Sequence, residues 1–303
     1  MVSAAVLIRQ GLGGGSGTGE DSGGDGDDNI VLVCASDLIE QCNALGDRID
    51  VRAQTAADTA AAIDDGTLAD DVDAWITTTA WVEVVDIRAP EALTDTEPLA
   101  TSPVVVATAP GRFDAVASLC EGDGVWACLG GAAGQSWADL GDGSHAVWRE
   151  LKVGLTDPNS ALGLSVLASA SVGFFGNTDF AVNDFTDFEG WLATLAEPSA
   201  DGDADPARTL ATVSGRYSAA GSVAAVAERF DARGVQSIEP VTPVAAAVVI
   251  VRLEGGDRLP DIGAVRDALV DVGWARASDA DLAPTLKPGV MAALHSLWKA
   301  VTS

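Results

Sequence analysis

The chain has 303 residues, 48% of them hydrophobic, which is enough for one large domain or two lobes and is not typical of a disordered protein. Its 45 acidic and 17 basic residues give a net charge of −28, which repels nucleic acid and anionic lipid at long range. With two histidines and no acidic loop of ligand spacing, neither a metal site nor a cofactor is predicted.

The first 28 residues are predicted to be an anchor remnant and a flexible linker, with a poor signal peptide as the alternative to the anchor. Residues 2–8 are apolar but far shorter than the roughly 20 residues that span a bilayer. Residues 11–28 are rich in Gly, Ser, Asp and Glu, a composition typical of a flexible linker. We therefore expect an extracytoplasmic protein at the cell surface, tethered by an N-terminal membrane segment.

Residues 29–77 have the pattern of alternating strands and helices. The apolar run 30–34 is typical of a strand buried on both faces, and Thr55, followed by Asp58, is a helix-capping signal. The predicted elements are strands 30–34, 48–53 and 74–77 and helices 36–45 and 56–66. This order favours a parallel sheet with right-handed crossovers.

The remainder of the chain continues the α/β pattern. The pair Ser102-Pro103 bars a helix and suits a crossover between lobes, and a later apolar run could return the chain to the first lobe. The predicted elements are strands 104–108, 153–155 and 244–253 and helices 112–120, 161–176, 265–272 and 290–301.

The four cysteines form two pairs with the same spacing. Cys34 and Cys42 enclose seven residues, as do Cys120 and Cys128. In an acidic, secreted-looking chain this pattern favours two local disulfides. The alternative for the first pair is two buried free thiols.

Several segments resemble the type II periplasmic-binding fold. These are Val-Leu-Val-Cys-Ala-Ser at 31–36, Thr-Ala-Ala-Asp-Thr-Ala-Ala-Ala-Ile-Asp-Asp-Gly at 55–66 and Asp-Ala-Trp-Ile-Thr-Thr-Thr-Ala-Trp at 73–81. Thr-Asp-Pro-Asn-Ser-Ala-Leu-Gly at 156–163 resembles the second-lobe helix start of the molybdate/sulfate-type branch. The tail Lys-Pro-Gly-Val-Met-Ala-Ala-Leu-His-Ser-Leu-Trp at 287–298 is similar to that of actinobacterial substrate-binding-domain proteins.

The resemblance, which covers residues 29–303, implies a two-lobed α/β fold with parallel-core sheets and two interlobe crossovers. Lobe 1 would comprise residues 29–103 and 245–303, and lobe 2 residues 104–244. A ligand would lie beyond the carboxyl ends of the strands, where helix N-termini offer unpaired N–H groups.

Small hydroxyl and amide side chains occupy the positions that the resemblance assigns to ligand contacts. The candidates are Ser36, Thr55, Thr77, Thr78, Asn159 and Ser160. In molybdate-type relatives such residues hold a tetrahedral oxyanion without basic side chains. Serine and threonine are also good helix N-caps, which is the alternative for each hydroxyl residue.

Three further residues have two interpretations each. Tyr217, the only tyrosine, either leans over the cleft from lobe 2 or packs at the hinge. Arg216 either contacts an anion or forms a surface salt bridge. Asp37 would place a carboxylate close to a bound anion, so it either points away as a capping residue or the ligand is not an oxyanion.

We therefore expect a monomeric solute-binding receptor that delivers a small molecule to an ABC-type permease, with a tetrahedral oxyanion as one candidate ligand. A non-transport cell-surface sensor or scaffold on the same fold is the alternative. A hydrolase is the third hypothesis, but nothing in the sequence orients His145 or His295, and no Gly-x-Ser-x-Gly elbow or Walker loop is present. No enzyme activity is predicted.

Overall fold

The computed structural model describes residues 30–46, 49–122, 124–141, 145–200, 203–256, 259–282 and 286–303. The predicted anchor remnant and linker, residues 1–28, lie outside this part of the chain. None of the described helices is long and apolar enough to span a bilayer.

Strands and helices alternate along most of the chain. The strands are β1 Ile30–Ala35, β2 Ile49–Gln54, β3 Ala74–Thr78, β4 Leu93–Thr108, β5 Val153–Gly154, β6 Ala219–Val223, β7 Gln236–Ile238, β8 Ala245–Leu253 and β9 Ala275–Arg276. The helices are α1 Ile39–Cys42, α2 Ala56–Asp64, α3 Thr79–Arg88, α4 Phe113–Leu119, α5 Val125–Ala132, α6 Trp137–Leu140, α7 Ala161–Phe175, α8 Phe185–Ala196, α9 Pro206–Thr212, α10 Ala224–Ala227, α11 Gly263–Asp271 and α12 Val290–Thr302.

The first sheet contains the three strands that the N-terminal pattern predicts. β1 pairs in parallel with β2 on one side and with β3 on the other. β3 then pairs antiparallel with β8, and β8 pairs antiparallel with the first part of β4. This mixed α/β arrangement confirms the predicted fold class. Strand β8 was predicted, but its antiparallel pairing and the first part of β4 were not.

The long strand β4 continues from the first sheet into a second one. Its pairing with β8 ends at Pro103, opposite Ala245, and its pairing with β6 begins at Val104. The second sheet consists of this last part of β4 with β5, β6 and β7. Proline donates no backbone hydrogen bond, so Pro103 fits the point where β4 changes partners.

Helix α7 is the central helix of the molecule. Every residue from Ala161 to Val172 is buried, as expected for a helix that is apolar on all sides. Its small side chains permit close packing: Ser169 Oγ accepts a 3.0 Å hydrogen bond from the Trp126 indole, and a Cβ on Gly173 would lie 2.4 Å from the Trp126 Cβ. α7 contacts β6 of the second sheet as well as β3 and β8 of the first. It is therefore common to both halves.

Both pairs of cysteines form disulfides. Cys34 in β1 is joined to Cys42 in α1, with Cα atoms 6.5 Å apart. Cys120 after α4 is joined to Cys128 in α5, with Cα atoms 5.4 Å apart. The alternative of two free thiols at the first pair is therefore wrong.

The C-terminal helix α12 packs between elements of both halves. It contacts α3, which follows β3 of the first sheet, and also α7 and α8. One hydrophobic cluster runs through both sheets and includes Trp298 of α12, Trp81 of α3 and Phe188 of α8. The two halves therefore share a core as well as the strand β4.

Candidate functional site

The carboxyl ends of β1 and β3 meet the N-terminal ends of α2 and α7 at one junction between the two sheets. This is the edge where ligands bind in open α/β sheets. The segment Asn159–Leu162, at the start of α7, lies at its centre. Hydrogen bonds reach this segment from four elements of the first half of the chain and from α12.

Asp37, two residues after β1, caps helix α7 across the junction. Its Oδ1 accepts the Ala161 N–H at 3.1 Å, and its Oδ2 accepts the Leu162 N–H at 2.9 Å. A carboxylate at this position is favoured by the helix dipole and by two donors that have no intrahelical acceptor. Burial raises the pKa of the Asp37 carboxyl above its usual 3.8, and the two N–H groups act in the opposite direction.

The third N–H group of α7 is satisfied by its own N-cap. Ser160 Oγ accepts the Gly163 N–H at 3.0 Å and donates to the Asp157 carbonyl at 2.8 Å. The start of α7 also packs tightly, because a Cβ on Gly163 would lie 1.9 Å from the Asp157 carbonyl oxygen. The helix start is thus closed by the protein's own atoms.

Three more hydrogen bonds join the first half of the chain to the same segment. The Ala57 N–H, in the first turn of α2, donates to the Asn159 carbonyl at 3.0 Å. Thr78 Oγ1 donates to the Ala161 carbonyl at 2.8 Å, and the Trp81 indole donates to the Ser160 carbonyl at 2.8 Å. With the two bonds to Asp37, five hydrogen bonds hold this segment against the first half.

His295 of α12 completes the junction. Its Nε2 lies 3.0 Å from Asn159 Oδ1, and its ring packs edge-on against Trp81 with centroids 4.7 Å apart. Because Asn159 Nδ2 donates to Asp157 Oδ1 at 2.9 Å, Asn159 Oδ1 is the acceptor and His295 Nε2 carries the proton. Burial, together with the charges of Lys299 and Arg88, lowers the pKa of His295 to about 4.

A cavity of about 270 Å³ remains open beside this junction. Ser36, Asp37 and Glu40 line it from the β1 side, and Thr156 and Ser222 line it from the second half, with hydroxyl groups that donate to backbone carbonyls. The opposite wall contains Arg208 of α9 and Arg229, which follows α10. The cavity therefore combines both signs of charge with hydroxyl groups.

The two arginines of the cavity are not ion-paired within the described residues, since no carboxylate oxygen lies within 4 Å of either guanidinium. Asp205 is an acidic residue that interacts electrostatically with both arginines. Burial raises the pKa of its carboxyl, while its hydrogen bond to the Arg208 N–H and the charge of Arg229 lower it. Both guanidinium groups keep donors available for a ligand.

The structure brings most of the predicted ligand residues to the junction, and four of them, Thr55, Thr78, Asn159 and Ser160, use polar groups for internal bonds. Ser36 is exposed and lines the cavity. Thr55 caps α2, accepting the Asp58 N–H at 3.1 Å and donating to Asp58 Oδ2 at 2.7 Å. The Thr77 hydroxyl is fully buried and lacks a partner among the described residues. Thr78, Asn159 and Ser160 form the interlobe bonds described above.

Tyr217 and Arg216 do not line the cavity. Tyr217 is 1% exposed and belongs to a small cluster on the second sheet, where a Cβ on Gly154 would lie 2.9 Å from its ring. Arg216 donates to the Pro198 carbonyl at 2.9 Å and lies over the Tyr217 ring. Tyr217 is therefore a core residue, and Arg216 forms no ion pair within the described part of the chain.

The cavity arginines were missed by the sequence analysis. Asp205-Pro206 is a signal for a helix start, with an N-cap aspartate and proline at the first helical position. It marks α9 and places Arg208 in its first turn. No comparable local signal points to Arg229, because only the tertiary fold brings it to the cavity.

The described residues contain no cluster of three or more His, Cys, Asp or Glu side chains that could hold a metal ion.

Comparison with known proteins identifies relatives by structure only. No protein-family model matches the chain, and no curated protein matches it in sequence. Many solved structures match its fold.

Three of these structures illustrate the similarity. Iron-bound HitA from Pseudomonas aeruginosa has a TM-score of 0.55 and 13% identity, covering 90% of this chain and 98% of HitA. The periplasmic binding protein AfuA from Actinobacillus pleuropneumoniae, with fructose 6-phosphate bound, has a TM-score of 0.50 and 12% identity, covering 91% of this chain and 83% of AfuA. The sulfate-binding protein SubI from Mycobacterium tuberculosis has a TM-score of 0.50 and 14% identity, covering 84% of this chain and 88% of SubI.

These similarities establish the fold. The chain has the two-lobed architecture of type II periplasmic binding proteins, and the structures that it resembles are binding proteins rather than enzymes. At such low identity they do not identify a ligand.

The buried His295 predicts a pH-dependent stability. In the folded protein its pKa is about 4, whereas an ordinary histidine gains its proton near 6.5. Between these values the unfolded chain binds more protons, so acidification through this window lowers the free energy of unfolding. We expect wild type to lose more thermal stability between pH 7 and pH 4 than His295→Gln. Parallel melting curves for the two proteins over this range would contradict the assignment.

The close packing at Gly163 predicts a large effect from one added methyl group. Gly163→Ala would push the start of α7 away from the Asp157 carbonyl and is expected to cost about 1–3 kcal/mol. Gly190→Ala is the matched control, because Gly190 lies within α8 with open space around it. The control should be neutral or stabilising by up to about 1 kcal/mol. Urea unfolding measures both, and equal stabilities would show that the helix start is loosely packed.

Proposed function

We propose that this protein is an extracytoplasmic solute-binding receptor that captures a small ligand between its two lobes for an ABC-type transporter. The observation that carries the proposal is the cavity of about 270 Å³ on the fold of such receptors, lined by residues of both halves of the chain. Its volume suits a small metabolite, and its hydroxyl and charged groups suit a polar one.

The ligand is a small organic molecule with at least one anionic group. Arg208 and Arg229 line the cavity and have no ion-pair partner among the described residues, and an arginine binds carboxylate or phosphate through paired hydrogen bonds. The carboxylates of Asp37 and Glu40 face the cavity from the β1 side, so a ligand that also carries hydroxyl or ammonium groups fits better than a plain dianion. HitA was solved with iron bound, whereas the described part of this chain contains no group of three or more His, Cys, Asp or Glu side chains that could hold a metal ion.

The lobe boundaries follow the strand pairing. Residues 29–103 and 245–303 form lobe 1, and residues 104–244 form lobe 2. The change of partners along β4 between Pro103 and Val104, opposite the start of β8, supports this division.

The protein functions outside the cytoplasm. Its two disulfides support this location, because such bonds persist in oxidising compartments. Tethering by the N-terminal segment and delivery of the ligand to a permease are part of the same proposal.

A second function is favoured by the junction itself. Five hydrogen bonds and His295 already hold the lobes together, and three of the predicted ligand residues, Thr78, Asn159 and Ser160, take part in these contacts. A sensor or scaffold that works in a permanently closed state would have this arrangement. Ligand binding at the arginines distinguishes the receptor from the scaffold.

Calorimetric titration with a panel of small solutes tests the receptor function. The panel contains succinate, fructose 6-phosphate, γ-aminobutyrate, sulfate and glucose. We expect saturable binding of an organic anion, weakened about tenfold to a hundredfold in Arg208→Gln and in Arg229→Gln, because each loses a charge-assisted hydrogen bond of about 1.5–3 kcal/mol.

Arg233→Gln is the matched control, since Arg233 lies four residues beyond Arg229 and outside the cavity. It should bind like wild type. Binding of glucose alone, or anion binding that is equal in all three variants, would contradict the proposed site. Failure of the whole panel would favour the scaffold.

A further inference from the structure

The start of helix α7 has no backbone donor left for a ligand among its first three N–H groups. Asp37 accepts those of Ala161 and Leu162, and Ser160 Oγ accepts that of Gly163. In a protein that binds an oxyanion at a helix N-terminus, these are the groups that the ion would contact. Here the protein itself supplies the acceptors.

The carboxylate of Asp37 reproduces the contacts of a bound anion. Its two oxygens lie 3.1 and 2.9 Å from successive backbone nitrogens, at the positive end of a 15-residue helix. Two oxygens of a tetrahedral oxyanion would meet the same pair of donors in the same way. We infer that Asp37 is a built-in anionic occupant of this position and that it determines specificity by excluding free oxyanions from the α7 N-terminus.

The chain holds Asp37 firmly in this place. It lies in a short turn between the buried strand β1 and α1, and its neighbour Leu38 is 2% exposed. The disulfide between Cys34 and Cys42 encloses the turn. A group that the fold already holds in place does not pay the translational and rotational entropy that a free ion loses on binding, so a free ion competes poorly with it.

The inference rests on the proposed function in that it concerns the same cleft, but it depends on different atoms. It explains why the ligand must be bound by Arg208 and Arg229 instead of the helix terminus. It also separates this protein from a receptor that holds sulfate or molybdate by backbone amides. Asp37 would then act as a specificity-determining residue that touches the cavity without being displaced from it.

Removal of the side chain should create an oxyanion site. The test compares Asp37→Ala with the parent protein, both carrying Arg208→Gln and Arg229→Gln so that sulfate cannot bind at the arginines. Thermal unfolding and calorimetry are measured with sodium sulfate and sodium molybdate, against sodium chloride of equal ionic strength. We expect no saturable binding in the parent and a saturable rise in Tm with sulfate or molybdate in the Asp37→Ala protein.

Two results would overturn the inference. One is saturable oxyanion binding by the parent, which would show that Asp37 leaves the helix terminus open. The other is a folded Asp37→Ala protein that binds neither ion, which would show that the terminus is not an anion site. If Asp37→Ala is unfolded in chloride, saturable restoration of its circular dichroism by sulfate at millimolar concentration supports the inference, and the absence of such saturable restoration contradicts it.

Asp184→Ala is the matched control for charge. Asp184 also accepts a backbone N–H near a helix start, that of Ala181 at 2.8 Å, but it is exposed and far along the chain from the junction. Its removal changes the net charge equally and should produce no sulfate-dependent rise in Tm. These outcomes are independent of the solute panel, so either the receptor function or the inference can fail alone.

Discussion

The unpaired backbone groups at the start of α7 are the constraint on which the rest of the structure depends. This helix is buried along twelve consecutive residues, so its first N–H groups lie where water cannot satisfy them. A buried unsatisfied donor costs about 1–3 kcal/mol, and Asp37 and Ser160 remove this cost. Because Asp37 comes from the other half of the chain, satisfying the helix also fixes how the lobes are placed.

The remaining contacts of the junction build on this arrangement. With α7 held by Asp37, the carbonyl groups of Asn159, Ser160 and Ala161 face donors from α2, α3 and the end of β3, and His295 fixes the Asn159 side chain. As a result, the cleft is closed at the start of α7 by the protein's own hydrogen bonds. What stays open is the cavity at its side, lined by Arg208 and Arg229 in a chain of net charge −28. Under the proposed function, these two guanidinium groups attract an anion that the overall field repels.

Sequence reasoning found the architecture better than the site. The apolar run of β1, the Thr55 cap of α2 and the Asn159-Ser160 start of α7 are local signals, and the structure contains each of these elements. The first part of β4 was missed because it alternates Thr, Asp and Glu with two prolines and lacks an apolar run. The sequence left two interpretations of Asp37 open. Only tertiary contact decides whether this residue caps a helix that begins 124 residues later.

Amide hydrogen exchange of the ligand-free protein, resolved by residue, tests the central claim most directly. The N–H groups of Ala161 and Leu162 have no acceptor within their own helix, so only the bonds to Asp37 protect them. We expect both amides to exchange as slowly as that of Val166, inside the same helix. Rapid exchange at Ala161 and Leu162 together with slow exchange at Val166 would show that the cleft stands open without ligand and would contradict the account.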